Sequence, residues 1–414
     1  MNNRTILAGT LGVAVLLSAQ ITFGAGFGIY EGSARGNALG TEVTANPGSP
    51  SVIYNNPAAM TDLRGTQVEA GVTLINPSAT VVGETPAGTV QAKAKDNWWT
   101  PPHANVTHRV NSRVWAGMGI FSRYGLGVEY DDNWFGRYNV QKATIQSLEI
   151  NPSLAFKVLD NLSLAAGLRA QWFDFELKRA VTTDPLNASP LTDLQLKMCG
   201  DSWGIGYNLS AYFKPTEWLS VGLAYESEIE QEIDGTYTLT GGQQDFSGDG
   251  SGEITTPSLI RLGVSAKATD KLTLNAGLVY TMWSSYEELA IEFDPALLGS
   301  VSESVTEKNW KDVFRYQLGA EYALNQTWSL LAGYVYDRTP DPDANVDYLV
   351  PANHRHLFSI GAGYKKNNFF CDFGYTYLLI EDRDVEGRAA DGVFSGQFKD
   401  GDAHMLAVSV GYKI

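Results

Sequence analysis

From about Gly65 to its last residue, the chain repeats a single unit: about ten residues in which apolar side chains alternate with small or polar ones, closed by a turn. Period two with one greasy face specifies half-buried strands. In one such run Trp328, Leu330, Ala332, Tyr334 and Tyr336 share a face, and Ser329, Leu331, Gly333 and Val335 share the other. In another, Phe314, Tyr316, Leu318, Ala320 and Tyr322 oppose Arg315, Gln317, Gly319 and Glu321. The last run sets Leu406, Val408, Val410 and Tyr412 against Ala407, Ser409 and Gly411. About fourteen runs are present, beginning near Gln67, His103, Arg113, Ile145, Leu162, Ser202, Trp218, Pro257, Lys271, Lys311, Trp328, His354, Phe369 and Asp402.

The connections alternate in length. Short ones fall at Val110 to Ser112, Asp160–Asn161, Lys214 to Glu217, Thr269–Asp270, Asn325–Gln326 and Lys366 to Asn368, all built from turn formers. Between them lie polar stretches at roughly 77–101, 125–144, 181–200, 235–254, 292–309, 338–353 and 383–401. Short turns at one end and long loops at the other is the layout of an outer-membrane barrel, and an even strand number fits it. A soluble sandwich or propeller has no reason to alternate this way. Lipid offers no partner to an open sheet edge, so the first and last strands must pair. The expected fold is therefore all-β: a closed antiparallel transmembrane β-barrel of about fourteen strands, with a tilted, sheared wall.

Aromatics add an independent check. Trp115, Trp218, Trp328 and Phe369 each follow a short turn, and Trp172, Tyr225, Tyr336 and Tyr377 sit near the far ends of their strands. Eight strand steps at about 3.3 Å, tilted by about 40°, span roughly 20 Å, close to the ~25 Å apolar band of an outer membrane. Amphipathic rings belong at both edges of that band.

The amino terminus reads as a cleaved export signal over residues 1–24: Arg4, an apolar core from Ile6 to Leu17 too short to span a bilayer, and Thr22 and Gly24 ahead of a cut before Ala25. Mean hydropathy is mildly polar, −0.15, as expected when only every second strand residue meets lipid. The net charge of −16 speaks against nucleic acid and acidic membrane surfaces as partners. The expected location is the outer membrane of a Gram-negative cell. Cys199 and Cys371 are the two cysteines. They could pair after export, but Cys371 stands on a face that points at lipid.

Residues 25–64 break the pattern. They are rich in Gly, Ala, Asn and Pro, and Val52, Ile53 and Tyr54 are too apolar to float in water. A barrel of this size has room for them, so they are expected to fold into the lumen as a plug, with the barrel proper over 65–414. Here the chain resembles a known family. Ala25-Gly26-Phe27, then Gly32 to Gly40, then Tyr54-Asn55-Asn56-Pro57-Ala58-Ala59-Met60 is similar to the amino-terminal hatch of the FadL long-chain fatty acid transporters, whose Asn-Pro-Ala motif is matched by Asn56, Pro57 and Ala58. Tyr124-Gly125-Leu126 with Glu129-Tyr130 resembles that family's third-strand segment. The chain departs from such barrels in ending on Ile414 rather than an aromatic.

The resemblance implies uptake of fatty acids or small aromatic hydrocarbons: capture at the outer loops, a second site in the lumen, movement of the hatch, and sideways exit at a third-strand kink near Tyr124, Gly125 and Leu126. It also implies that Phe27 occupies the inner ligand pocket. Independently, Asn56 suits a helix cap and Pro57 the first turn behind it. Removing an acyl chain of about fifteen methylenes from water gains roughly 12 kcal/mol. Release into the periplasm is therefore uphill, and release into the bilayer is not. For a carboxylate ligand, the inward-facing cations are Arg169, Arg261 and Arg315, with Arg315 also placed to pair with Glu321.

Expected partners are the hydrophobic ligand, outer-membrane lipid and lipopolysaccharide, and the barrel assembly machinery, with a monomer as the unit. A general porin and a loop-borne adhesin or phage receptor are the competing readings, though neither needs a plug. No cofactor is expected. His354 and His356 lack a third metal ligand, and the Gly241 to Glu253 run lacks calcium-loop spacing. No catalytic serine has a placed histidine partner, so the chain is not read as an enzyme.

Overall fold

The structure, a computed structural model, describes residues 26–41, 43–182, 189 and 191–414; the signal-peptide reading and Ala25 lie outside them. No described helix is long and apolar enough to cross a membrane. The wall is one antiparallel sheet closed on itself. Gln67 to Gly83 of the first strand pair with Lys413 to Gly396 of the last. Walking around it, the strands are Thr66–Thr85, Pro102–Arg109, Val114–Phe121 resumed as Gly125–Glu129, Lys142–Leu159, Leu162–Val181, Leu194–Phe213, Leu219–Glu226 resumed as Ile229–Thr240, Phe246–Thr256 resumed as Leu259–Lys267, Leu272–Thr281 resumed as Glu288–Leu297, Val301–Glu307 resumed as Val313–Ala323, Trp328–Asp337, Arg355–Lys366, Phe369–Ile380 and Gly396–Lys413. These make fourteen wall positions, as the period-two runs require.

The faces divide as the alternation demands. Phe314, Tyr316, Leu318 and Tyr322 are exposed on the outer surface, and Arg315 and Gln317 are buried inside. Trp218, Trp328 and Phe369 form an exposed ring just past the short turns. Trp115 does not join it. It is buried, and its Nε1 donates to the Leu63 carbonyl at 2.9 Å.

Several stretches expected as loops are strands. Residues 235–254 and 292–309 are largely ribbons that continue the wall beyond the bilayer. Ile229, Gln231, Ile233, Tyr237 and Leu239 still face inward, while Glu230, Glu232, Asp234, Thr236 and Thr238 face water. The outer face has turned polar, so the greasy stripe that marks a membrane strand is missing although the strand continues. Cys199 and Cys371 are both free.

The described residues between 26 and 63 lie within the ring and are almost wholly buried. Helix α1 (Ala34–Ala38) is capped by Ser33, whose Oγ accepts from Gly36 N at 3.0 Å. After helix α2 (Val52–Asn55) comes a 3-10 turn, Pro57–Asp62. Asn56 caps it by accepting from Ala58 N at 3.1 Å, and its amide donates to Thr44 O at 2.8 Å and to Ala211 O of the wall at 3.1 Å.

Inner-face glycines let this backbone touch the wall. Gly319 stands opposite Gly333, and Gly361 opposite Gly374. A Cβ on Gly333 would fall 2.1 Å from Gly40 N, one on Gly361 2.4 Å from the Ala38 Cβ, and one on Gly319 2.7 Å from Leu39 O.

Candidate functional site: a luminal box at the break in the third strand

The third strand leaves the sheet at Ser122, Arg123 and Tyr124 and resumes at Gly125. Backbone groups left open inside a membrane wall need partners. Two sources supply them. Ser147 Oγ accepts from Tyr124 N and donates to Tyr124 O, each at 2.9 Å. The luminal segment supplies the rest: Gly125 N donates to Phe27 O at 2.8 Å and Ile29 N to Arg123 O at 2.7 Å, so Gly28 bridges Tyr124 as in an antiparallel ladder. The start of the luminal segment thus completes the interrupted wall.

That pairing aims Phe27 into an aromatic box. Its ring centroid lies 4.8 Å from Trp283, 5.6 Å from Tyr286, 5.7 Å from Tyr124 and Trp310, and 6.5 Å from Phe173. Most of these contacts are edge-to-face, the arrangement ring quadrupoles favour. Further along the lumen, Phe175, Met198, Ile233, Ile254, Leu289 and Ile291 line a small apolar cavity of about 30 Å³. Box and cavity belong to one continuous buried hydrophobic cluster.

A web of charge lies beside the box. Arg169 donates to Glu149 Oε2 at 2.8 and 3.1 Å and to Ser227 O at 2.6 Å. Arg261 donates to Glu226 Oε1 at 3.1 Å, and Arg123 stands 3.2 Å from the same oxygen. Arg123 also lies 3.9 Å from the centre of the Tyr54 ring and donates to Tyr54 O at 2.7 Å. Arg315 pairs with Asp337, shared with Arg355, and not with Glu321. Glu321 takes Arg35 of the luminal segment instead. The correction has a simple cause: Glu321 lies six residues along the strand from Arg315, whereas Asp337 is its direct cross-strand neighbour. Arg169, Arg261 and Arg315 are each at most 1% exposed. Their carboxylate partners are what make that burial tolerable.

Toward the long-loop end, the mouth is closed by residues 338–354. Val346, Tyr348, Leu349 and Val350 are buried beneath it, and Tyr348 meets the Trp134 ring at 5.0 Å. Lys308 Nζ is held by Asp347 Oδ2 at 2.5 Å, and both are buried. Burial pulls the Lys308 ammonium down, but Asp347 and Tyr286 outweigh it and its pKa ends raised. Burial lifts the Asp341 carboxyl to about 7, against the pull of Arg383, 3.6 Å away.

Lys308, Trp283, Tyr286 and Trp310 were not among the residues singled out from the sequence. They sit in breaks between strand halves, where no alternation marks them; three aromatics packed into such gaps are the one signal the sequence offers. His356 faces outward, between Tyr334 and Glu381. Among the described residues no cluster of His, Cys, Asp or Glu is arranged to hold a metal ion.

Known proteins share this fold over most of the chain. The family model described as "Outer membrane protein transport protein (OMPP1/FadL/TodX)" matches residues 15–414. The long-chain fatty acid transport protein of Escherichia coli O6:H1 is 24% identical, with 94% of this chain and 96% of that protein covered. Outer membrane protein P1 of Haemophilus influenzae is 26% identical over 91% and 90% of the two chains. A FadL homologue of Pseudomonas aeruginosa superposes with a TM-score of 0.83 at 20% identity, covering 94% of this chain and 99% of that one. The toluene transporter TodX of P. putida gives 0.75 at 16% identity with the same coverage.

Proposed function

Because the chain belongs to the OMPP1/FadL/TodX family of outer-membrane transport proteins, which are not enzymes, we propose that it carries long-chain fatty acids or related hydrophobic compounds into the cell by hatch-gated lateral diffusion. The observation that supports this reading is the pairing of Phe27 to Ile29 with the interrupted third strand. One short segment fills the aromatic box and closes the side of the barrel. A hydrophobic ligand entering the box displaces the Phe27 ring. Losing the ring loosens the backbone pairs at Gly125 and Arg123. The wall then opens where the ligand already lies, and bilayer is on the other side.

Arg169, Arg261 and Arg315, expected at first as ligand-facing cations, fit a different part better. Each is held by a carboxylate, and Arg261 and Arg315 also lie against the Tyr30 ring at 5.6 and 4.3 Å. Arg261 and Arg315 brace the hatch at Tyr30, and Arg169 holds the Glu149–Glu226 web beside it. The cation placed for a fatty-acid carboxylate is Lys308, which trades Asp347 for the ligand at the mouth. Asn56, Pro57 and Ala58 fix the rear of the hatch to the wall. The unit is a monomer whose outer ring of Trp and Tyr faces lipid and lipopolysaccharide.

Gly28 and Tyr124 form a non-hydrogen-bonded antiparallel pair, the geometry in which side chains approach most closely. With Cys199→Ser and Cys371→Ser as background, Gly28→Cys with Tyr124→Cys should form a disulfide. Uptake of a radiolabelled long-chain fatty acid should stop under oxidation and return on reduction. Full uptake by the oxidised protein would remove the side exit from consideration.

A further inference from the structure

Loops run over a protein's surface, because buried backbone and buried charge need partners that an apolar core does not supply. The segment over 338–354 does the reverse in its middle. Asp347, Tyr348, Leu349 and Val350 are each at most 6% exposed. The three apolar ones belong to the same continuous buried cluster as Phe27, Trp283, Tyr286 and Trp310. This insert has a head and a tail. At the head, Asp347 Oδ2 holds the Lys308 ammonium at 2.5 Å, and Oδ1 accepts from Leu349 N at 3.1 Å. In the tail, the Tyr348 ring lies 5.0 Å from Trp134 and 6.1 Å from Phe398, with Leu349 and Val350 buried next in line.

Clasps hold the insert from both sides. Arg383 donates to Asp341 O at 2.6 Å and to Ala352 O at 2.9 Å. Arg388 donates to Ala344 O at 3.0 Å and to Asn345 O at 3.3 Å. Residues 347–350 are thus a finger pressed into the mouth. A buried ion pair is a poor way to seat such a finger, since apolar side chains of similar volume usually serve as well or better. Lys308 stands two residues before Trp310 of the aromatic box, and its backbone amide donates at 2.7 Å to the carbonyl of Glu287, the residue after Tyr286 of the box. The ammonium is therefore fixed at the edge of the box. An occupant that drives the finger out must offer that ammonium an anion.

We propose that residues 347–350 are a built-in counterfeit of the cargo, a carboxylate followed by an apolar tail, and that the mouth takes long-chain monocarboxylates in their place. A fatty acid exchanges one carboxylate for another on Lys308, and one apolar chain for another among the rings. A hydrocarbon of the same length fills the rings but leaves a buried ammonium bare, which a protein interior tolerates poorly. The finger thus selects for an acidic head before the hatch is reached. It has this meaning only if the barrel is a carrier, the reading proposed above, and it names the ligand class of that carrier's mouth.

Tyr348 is fully buried, so chymotrypsin should cut after it only when the finger is out. Adding hexadecanoate to the folded protein in detergent should speed that cleavage about tenfold, because cleavage follows the open population. Hexadecane should leave the rate unchanged. Asp347→Asn should bind hexadecanoate about tenfold more tightly than the parent, since a site filled by its own lid loses affinity in proportion to the fraction closed. Lys308→Met should bind the acid and the hydrocarbon alike. Heat-modifiable gel migration shows which variants are folded. Hexadecane that frees the finger as well as hexadecanoate does, an Asp347→Asn protein that binds the acid no more tightly, or an acid that binds neither protein would overturn the counterfeit. None of these readouts depends on the latch at Gly28 and Tyr124, whose oxidation tests the side exit alone.

Discussion

Phe27 is held by five rings and by the backbone hydrogen bond its carbonyl accepts from Gly125 N, with a second bond from Ile29 N two residues on. Removing a buried phenylalanine side chain costs about 3–5 kcal/mol. Phe27→Ala should therefore speed hydrogen exchange at the Ile29 amide by about a hundredfold or more. Unchanged protection would mean that the ring does not hold the latch. Asp341 governs the mouth in a way that depends on pH. Its carboxyl titrates near 7 when the 338–354 segment is closed and near the usual ~3.9 when exposed. Between those values the closed form holds the extra proton, so closure is favoured below the lower pKa and weakens as pH rises through 7. Protease cleavage within 343–352 should be slower at pH 6 than at pH 8, and Asp341→Asn should abolish the difference. Equal pH dependence in both proteins would refute this assignment.

At the scale of elements, the glycines at 319, 333, 361 and 374 seat helix α1 and the residues after it directly on the sheet. Gly333→Val puts side-chain carbon where the Gly40 amide now lies. The barrel should still fold, since the outer face is untouched, but the hatch must lift. Planar-bilayer recordings should change from near silence to frequent openings; a quiet, folded variant would show that the seat is dispensable. Strands were legible wherever one face met lipid and the other the lumen, because Leu318 and Gln317 cannot exchange places. Legibility failed at the ribbons over 229–256, where both the Glu232 side and the loop residues beyond it are polar and a strand looks like a loop. The break in the third strand was marked by Tyr124-Gly125-Leu126 only through its likeness to a family. Nothing local in those residues specifies Ser147 as the group that satisfies Tyr124.

For the molecule as a whole, the box was only half readable. Phe27 stood out, but the rings around it come from residues 124, 173, 283, 286 and 310, brought together by closure of the sheet, which no local pattern encodes. The same holds for Arg315, whose true partner depends on the register between two strands. The completed third strand also has a consequence for how the molecule is made. Residues 26–30 precede every wall strand in the chain, yet their place exists only after the third and fourth strands have met and the ring around them has shut. A segment that comes before the whole wall in sequence is thus the last to settle. Any delay in rolling up the cylinder leaves that segment without the strand edge it completes.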